Sequence, residues 1–179
     1  MKNDLREEIE LPQGVTVPIG DLIKVTGPKG EVEKKLSHPR VDISLQDNKI
    51  VLESKKVTKR EIKNLNTFRA HLRNMVQGVQ EKFIYTVKIC SGHFSMNVSV
   101  SKNELIIKNF LGESHPRKLP IKPGAEVKIE GTEVIISSCS KETAGQTAAG
   151  IEQLCRITNR DNRIFQDGCY IINKAGKEI

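Results

Sequence analysis

Tryptophan is absent from this chain, and two Tyr and five Phe are its whole aromatic complement, 4% of 179 residues. That scarcity argues against a binder of single-stranded nucleic acid built on a row of stacking rings. Long apolar runs are missing too. None approaches the roughly 18 residues needed to span a bilayer, and the opening MKNDLREEIELP is too charged for a secretory core. No membrane partner is expected. The four cysteines, Cys90, Cys139, Cys155 and Cys169, include no CxxC pair, and His38, His71, His93 and His115 stand singly. Structural zinc sites favour paired ligands, so no metal is expected, and buried free thiols in a reducing cytoplasm are the economical reading. Catalytic constellations fail to assemble: there is no nucleophile elbow and no HExxH helix. Gly27-Pro28-Lys29-Gly30 lacks the GxxxxGK[ST] pattern of a phosphate loop and reads as a tight turn displaying Lys29, with Gly112 and Glu113 at the matching turn of the second half. No enzyme, no cofactor and no small-molecule substrate are expected.

Positive charge, by contrast, is in surplus. Twenty-nine Lys and Arg against twenty-two Asp and Glu leave +7, with an isoelectric point near 9.3. Fifteen of the basic residues fall in the first eighty positions and fourteen after them, so the charge sits on folded surface rather than in a tail. Such a surplus concentrates polyanions around a protein. The candidate segment is QLCRITNRDNRIFQDGCYIINK, Gln153 to Lys174, where only Asp161 and Asp167 are at hand to pair with the arginines. An arginine fork matches phosphate geometry, and a loop can aim it outward. The plain alternative is a solvated helix end followed by a turn. Arg156, Arg160, Arg163, Lys174 and Lys177 are the candidate phosphate ligands, and Tyr170 joins them. Phe165 reads more readily as core, while Tyr170 is open between core and surface. Asp167-Gly168 reads as a turn between Ile164-Phe165 and Tyr170-Ile171-Ile172.

Internal duplication organises the rest. DLIKVTGPKGEVEKKL, then VDISLQDNKIVLES, then a helical stretch are matched by ELIIKNFLGESHPRKL, EVKIEGTEVIISS and another helical stretch. The alignment pairs Leu22 with Leu105, Leu36 with Leu119, and Val41-Asp42-Ile43 with Val127-Lys128-Ile129. Two repeats do not make a solenoid. The expected fold is α+β, two tandem similar modules, each a small mostly antiparallel sheet with one long helix packed on it. Residues 1–80 form the first module and 81–179 the second.

Local signals agree with that plan. Val41, Ile43 and Leu45 alternate with polar residues, Asp47-Asn48 marks a turn, and Ile50-Val51-Leu52 returns, a hairpin with one buried face. Val127 and Ile129, Gly131-Thr132, and Val134-Ile135-Ile136 repeat it. Thr58 and Glu61 have capping-box spacing ahead of Ile62, Leu65, Phe68, Leu72, Met75, Val76 and Val79, an amphipathic helix ending near Gly78. Lys59, Arg60, Lys63, Arg69 and Arg73 give it a polar face, ordinarily a solvated one. The second helix starts from Ser140 as N-cap with Glu142 at its positive end. Its interior, Ala144, Gly145, Ala148, Ala149 and Gly150, is so slight that it can lie very close to a sheet. The linker falls around Gln77 to Lys82 and offers no long tether.

Four segments carry a resemblance. Ile9–Val15 with Val25–Gly30, the stretch Ala70–Val79 ending NMVQGV, His93-Phe94 with Asn97-Val98 and Asn109–Glu113, and the run QxxxIxxRxxRxFxDGxYxxxK from Gln153 to Lys174 together resemble the L-six family of large-ribosomal-subunit proteins, numbered nine in eukaryotes. The NFLGE and RxFxDG segments and the length are similar to its archaeal branch. Cys169 stands where the family usually has an aliphatic residue. The resemblance implies two similar α+β modules that bind large-subunit rRNA chiefly through the C-terminal one, near the translation-factor-binding region and the stalk base. It implies neighbouring ribosomal proteins as partners, translation factors as candidate further partners, and a cytoplasmic place in the large subunit. A free RNA-binding regulatory protein is the competing class.

Overall fold

The computed structural model describes residues 4–18, 20, 22–46, 48–55, 57–161 and 163–179. The chain divides into two compact units, residues 1–82 and 83–179. Each sheet draws its strands from one unit, and every strand pairing described is antiparallel.

The first unit holds β1 (Leu5–Glu10), β2 (Ile23–Gly27), β3 (Gly30–Lys34), β4 (Asp42–Gln46), β5 (Lys49–Ser54) and α1 (Lys59–Gln80). One sheet runs β1-β5-β4, and β2-β3 form a separate hairpin. Helix α1 starts in the expected capping box of Thr58 and Glu61. It runs two residues past Gly78, so helix fills most of the stretch read as linker. Leu65, Leu72, Met75, Val76 and Val79 pack from it onto Ile23, Val25, Ile50 and Leu52. Ile62, counted among the apolar positions, is 37% exposed in the helix's first turn. The GPKG turn closes β2 onto β3 and leaves Lys29 exposed. Its Gly27 is needed for packing, because a Cβ there would lie 2.7 Å from the Val79 side chain. Asn48 sits at φ 64 in the β4–β5 turn, and Asp47, its expected partner, lies outside the described residues.

The second unit holds β6 (Phe83–Cys90), β7 (Asn97–Ser101), β8 (Glu104–Lys108), a short 3-10 turn (Phe110–Gly112), β9 (Arg117–Pro120), β10 (Glu126–Glu130), β11 (Glu133–Ser138), α2 (Lys141–Leu154), β12 (Gly168–Lys174) and β13 (Lys177–Glu178). Its sheets run β10-β11-β6-β12-β13 and β7-β8-β9. Ala144, Ala148 and Ile151 of α2 pack with Tyr85, Val87, Leu105, Ile107, Val134 and Ile136, and fully buried Phe110 joins them. The slight helix does lie close: a Cβ on Gly145 would meet the Tyr85 hydroxyl at 3.3 Å, and one on Gly150 would meet Leu119 at 3.2 Å.

The duplication is present, in a different register from the one aligned by letters. Ser54 Oγ donates to the Arg40 carbonyl at 2.6 Å, and Ser138 Oγ to the Gly124 carbonyl at 2.7 Å. These equivalent serines place Ile43, opposite Leu52, on Val127, opposite Ile136. Val41 therefore does not correspond to Val127. Leu22 is 51% exposed ahead of β2, and buried Ile23 is the counterpart of Leu105. Lys34 faces Ile23 as Leu119 faces Leu105, so Leu36 matches Ile121, both buried two residues further on. A one-residue slip moves every side chain of a strand to the opposite face. Burial therefore fixes a register that residue identity leaves loose. The loop between β8 and β9 is also longer than the GPKG turn it corresponds to.

Candidate nucleic-acid interface

Helix α2 starts on Ser140, whose Oγ accepts from the Thr143 N–H at 3.2 Å. It ends at Leu154, and the chain leaves through Cys155 into an irregular loop, 156–167, before β12 begins. Helix ends leave carbonyls without partners. Arg117 of β9 satisfies them here: its Nη1 donates to the Leu154 carbonyl at 2.6 Å and more weakly to that of Arg156 at 3.4 Å. The guanidinium lies over the Phe110 ring, 4.2 Å from its centroid. It also grips Glu113 through Nε and Nη2 at 2.8 and 2.5 Å. That pairing holds the Glu113 carboxyl below its ordinary range and pushes the Arg117 guanidinium up.

The far end of the loop is fixed by Asp167. Its carboxylate is 3% exposed and accepts from the N–H groups of Gly92 at 3.0 Å, His93 at 3.0 Å and Phe94 at 3.3 Å. His93 Nδ1 lies 3.0 Å from it as well. Burial pushes the carboxyl up, but the donors from His93, Gly92 and Phe94 outweigh burial and bring it to about 2. Asp167-Gly168 is therefore not a hairpin turn. It is a buried anchor that ties the loop to the segment following β6, and Gly168 already belongs to β12, paired with Cys90. Phe165 packs on His93 with ring centroids 4.7 Å apart, and the Arg160 guanidinium lies 4.8 Å from the Phe165 centroid.

These anchors hold both ends of the loop, and between them the cations point outward. Arg156 and Arg160 are exposed and make no ion pair among the described residues. Arg163 differs: Asp161 takes its Nη2 at 2.7 Å and its Nε at 3.1 Å, so this arginine is locally paired. Each partner stabilises the other's charge, with Asp161 held low and Arg163 raised. The expectation of underpaired arginines thus holds for two of the three. Tyr170 is 43% exposed and donates to the Gln166 carbonyl at 3.2 Å, so it is no core ring. Phe165 is half-buried. A cleft of about 470 Å³ is lined by Arg156, Phe165 and Tyr170, and a second of about 720 Å³ by His93, Gln166 and Tyr170.

Lys174 and Lys177 are exposed and face one another across the β12–β13 hairpin. Lys174 is four strand residues from Tyr170, roughly 13 Å at ordinary strand rise. The six candidates therefore form two groups, Arg156, Arg160, Arg163 and Tyr170 around the loop, and the two lysines at the hairpin end. His93, Asp167 and Arg117, which position the loop, carried no local signal, because their partners lie tens of residues away. Cys155 and Cys169 are buried and share a hydrogen bond that draws the first thiol down and pushes the second up. Cys90 and Cys139 are only half-buried, so the expectation of buried thiols holds for two of the four.

The arrangement suits phosphate and a flat ring face, with Arg forks carried on an anchored loop beside an exposed tyrosine. No helix among the described residues is long and apolar enough to cross a membrane. The family model described as Ribosomal protein L6 matches residues 11–82 and 94–168, one segment in each half. Tyr170, Lys174 and Lys177 lie beyond the second segment. Large ribosomal subunit protein uL6 of Nanoarchaeum equitans (strain Kin4-M) is 44% identical over 98% of this chain and 96% of its own. The protein of that name from Methanococcus vannielii is 43% identical over 98% of this chain and 97% of its own. That of Methanobrevibacter smithii is 44% identical over 95% of this chain and 96% of its own. With both halves matched and such relatives along nearly the whole length, the chain belongs to the ribosomal protein L6 family, a family of ribosomal structural components and not of enzymes.

Proposed function

We propose that this protein is a structural component of the large ribosomal subunit in the cytoplasm and binds large-subunit rRNA mainly through residues 81–179. Residues 1–80 form the companion module. The anchored 156–167 loop carries this reading. Buried Asp167 at one end and Arg117 at the other hold a short segment whose arginines are aimed at solvent. A rigid basic loop neutralises phosphate without first being ordered, which favours recognition of folded RNA by shape. Arg156 and Arg160 make the first contacts, Lys174 and Lys177 extend the footprint along the hairpin, and Tyr170 offers a ring to an unstacked base. Arg163 joins once it exchanges Asp161 for phosphate. The position near the factor-binding region and stalk base, with neighbouring ribosomal proteins and translation factors as partners, completes the reading.

The relatives' printed names support the ribosomal setting. Sedimentation of tagged protein from lysate tests it, since a ribosomal component travels with the large subunit and a free RNA-binding regulator stays light. Ultraviolet crosslinks to purified large-subunit rRNA test the site. They should map to 156–177, and crosslinks confined to residues 1–80 would place the RNA surface on the other module.

A further inference from the structure

Two buried thiols meet where the basic loop begins and ends. Cys155 caps the C-terminal end of α2, and Cys169 is the second residue of β12, so they flank the 156–167 segment. They are 4% and 1% exposed, lie in one core cluster and share a hydrogen bond. Both cysteines line the cleft of about 470 Å³ that opens beside Arg156, so a molecule of a few atoms has a route to them. The RNA reading makes no use of either sulfur.

The fold admits one pairing among the four cysteines. Cys169 faces Ile89 on β6, while Cys90 faces Gly168. Neighbouring residues of a strand project to opposite faces, so Cys90 points away from Cys169 and shares the outer face with Tyr170. Cys139 precedes the N-cap of α2, a whole fourteen-residue helix from Cys155 and roughly 20 Å at helical rise. Its neighbour Ser138 faces Phe83, which is six strand residues from Ile89, again about 20 Å. Only Cys155 and Cys169 are within reach of one another. The two sulfurs are unequal. Hydrogen bonds from Cys169, its side chain foremost, draw the Cys155 thiol down against burial, with the Arg117 guanidinium helping and Glu113 opposing. The same shared hydrogen bond and burial push Cys169 up. The thiolate is the reactive form, so Cys155 is the nucleophile of the pair.

We propose that Cys155 and Cys169 form a site of reversible oxidation, at which a small hydroperoxide joins them in a disulfide that clamps both ends of the loop. The Cys155 sulfur attacks one oxygen of hydrogen peroxide, the O–O bond breaks, and the departing hydroxide takes the thiol proton and leaves as water. Cys155 then carries an S–OH group. The Cys169 sulfur gives up its proton and attacks the Cys155 sulfur. An S–S bond forms, the S–O bond breaks, and the hydroxyl leaves with that proton as a second water. Two thiols are oxidised, and one peroxide is reduced to two waters. A dithiol reductant reverses the bond by exchange. The closed ring, residues 155–169, holds the loop's ends together without calling on Arg117 or Asp167, and it restricts the unfolded chain as well. The site stands apart from the RNA reading, since its chemistry needs no RNA.

Trypsin makes the test direct, because cleavage after Lys and Arg places each cysteine on a different peptide: 89–102, 129–141, 142–156 and 164–174. The full chain is reduced, treated with hydrogen peroxide, digested without reductant and analysed by mass spectrometry. Peptides 142–156 and 164–174 should appear joined, two hydrogens lighter than their sum, and dithiothreitol should part them. In a Cys169→Ser variant, dimedone, which captures sulfenic acids, should label Cys155, and in Cys155→Ser it should leave Cys169 unlabelled. Circular dichroism checks both folds. Amide exchange in residues 156–161 should slow at least fivefold on oxidation and recover with dithiothreitol. A link through Cys90 or Cys139, or a Cys155 and Cys169 still free once those two have reacted, would overturn the proposal. So would the same share of Cys155–Cys169 linkage in concentrated urea, where the fold no longer selects the partner. A joined pair with unchanged exchange would overturn the clamp.

Discussion

Asp161 is the most informative residue to change, because it sits in the cationic loop and occupies Arg163. The pair is bidentate, yet the Arg163 side chain is 89% exposed, so its loss should barely alter stability. Replacing Asp161 by Asn removes one negative charge from the RNA-facing surface and frees a fork that matches phosphate. One added phosphate contact should raise affinity for large-subunit rRNA about fivefold. It should steepen the dependence of log affinity on log salt by about 0.7–0.9, one further counterion released. Removing Arg160 and Arg163 together by Ala should act oppositely, weakening binding and flattening the slope. The decisive quantity is the coupling. In the wild type Arg163→Ala deletes a cation already occupied, whereas in the Asp161→Asn background it deletes a working contact and should cost several-fold more affinity. Fluorescence anisotropy on an rRNA fragment over a salt series measures all four members of the cycle, with circular dichroism confirming each fold. Lys59→Ala with Arg60→Ala on α1 is the matched control and should lose less. If Arg163→Ala costs the same in both backgrounds, or the α1 pair costs more than the loop pair, the placement of the RNA surface is refuted.

Other outcomes follow from the same geometry. Asp167→Asn should destabilise the second module by about 2–3 kcal/mol, because an amide cannot accept from three N–H groups and a histidine as a buried carboxylate does, and a drop in the chemically induced unfolding midpoint measures it. No change would mean the loop is held by other contacts. In acid, Glu61 and Asp167 should both act as stabilisers that are lost. Each is brought to about 2 from ordinary values of 4.5 and 3.8, so their contributions are complete above about pH 4.5 and vanish as pH falls toward 2. A denaturation series between pH 5 and 2 should show the loss, and its absence in a Glu61→Gln, Asp167→Asn variant assigns it. Gly27→Ala should destabilise the first module by about 1–3 kcal/mol, since the added methyl overlaps Val79, and a thermal melt at or above the wild-type temperature would contradict the packing argument. Cleavage near residue 80 should release two fragments that each keep strands and a helix by circular dichroism. A fragment without them would count against two self-contained modules.

Much of the architecture is local in origin and could be read directly from the chain. Thr58 with Glu61 and Ser140 with Thr143 set the helix starts through neighbours three residues away. Alternation around Val127 and Ile129 marked a hairpin with one buried face, because such a strand must alternate, whereas in the matching β4 the alternation located the hairpin but misplaced Leu45, which is 49% exposed. The basic segment was visible because charge is a property of composition. Register was another matter. Leu22 and Val41 look like their assigned counterparts, and only burial of Ile23 and the pairing of Ile43 with Leu52 reveal the true match.

Tertiary structure also decided which of the basic residues are available. Arg163 and Asp161 stand two apart and could each have faced elsewhere, and only the folded loop joins them. Asp167 looked like half of a turn because an Asp-Gly pair usually is one, yet its carboxylate faces N–H groups more than seventy residues earlier in the chain. That β1 pairs with β5 alone among the described residues is likewise invisible in LREEIE, because whether a strand has one neighbour or two depends on what the rest of the chain brings beside it. Residue types and short spacings determined the elements and the overall charge of this protein. Which charges are free, and which strands lie side by side, depends on partners distant in sequence, and those are set only when the chain packs.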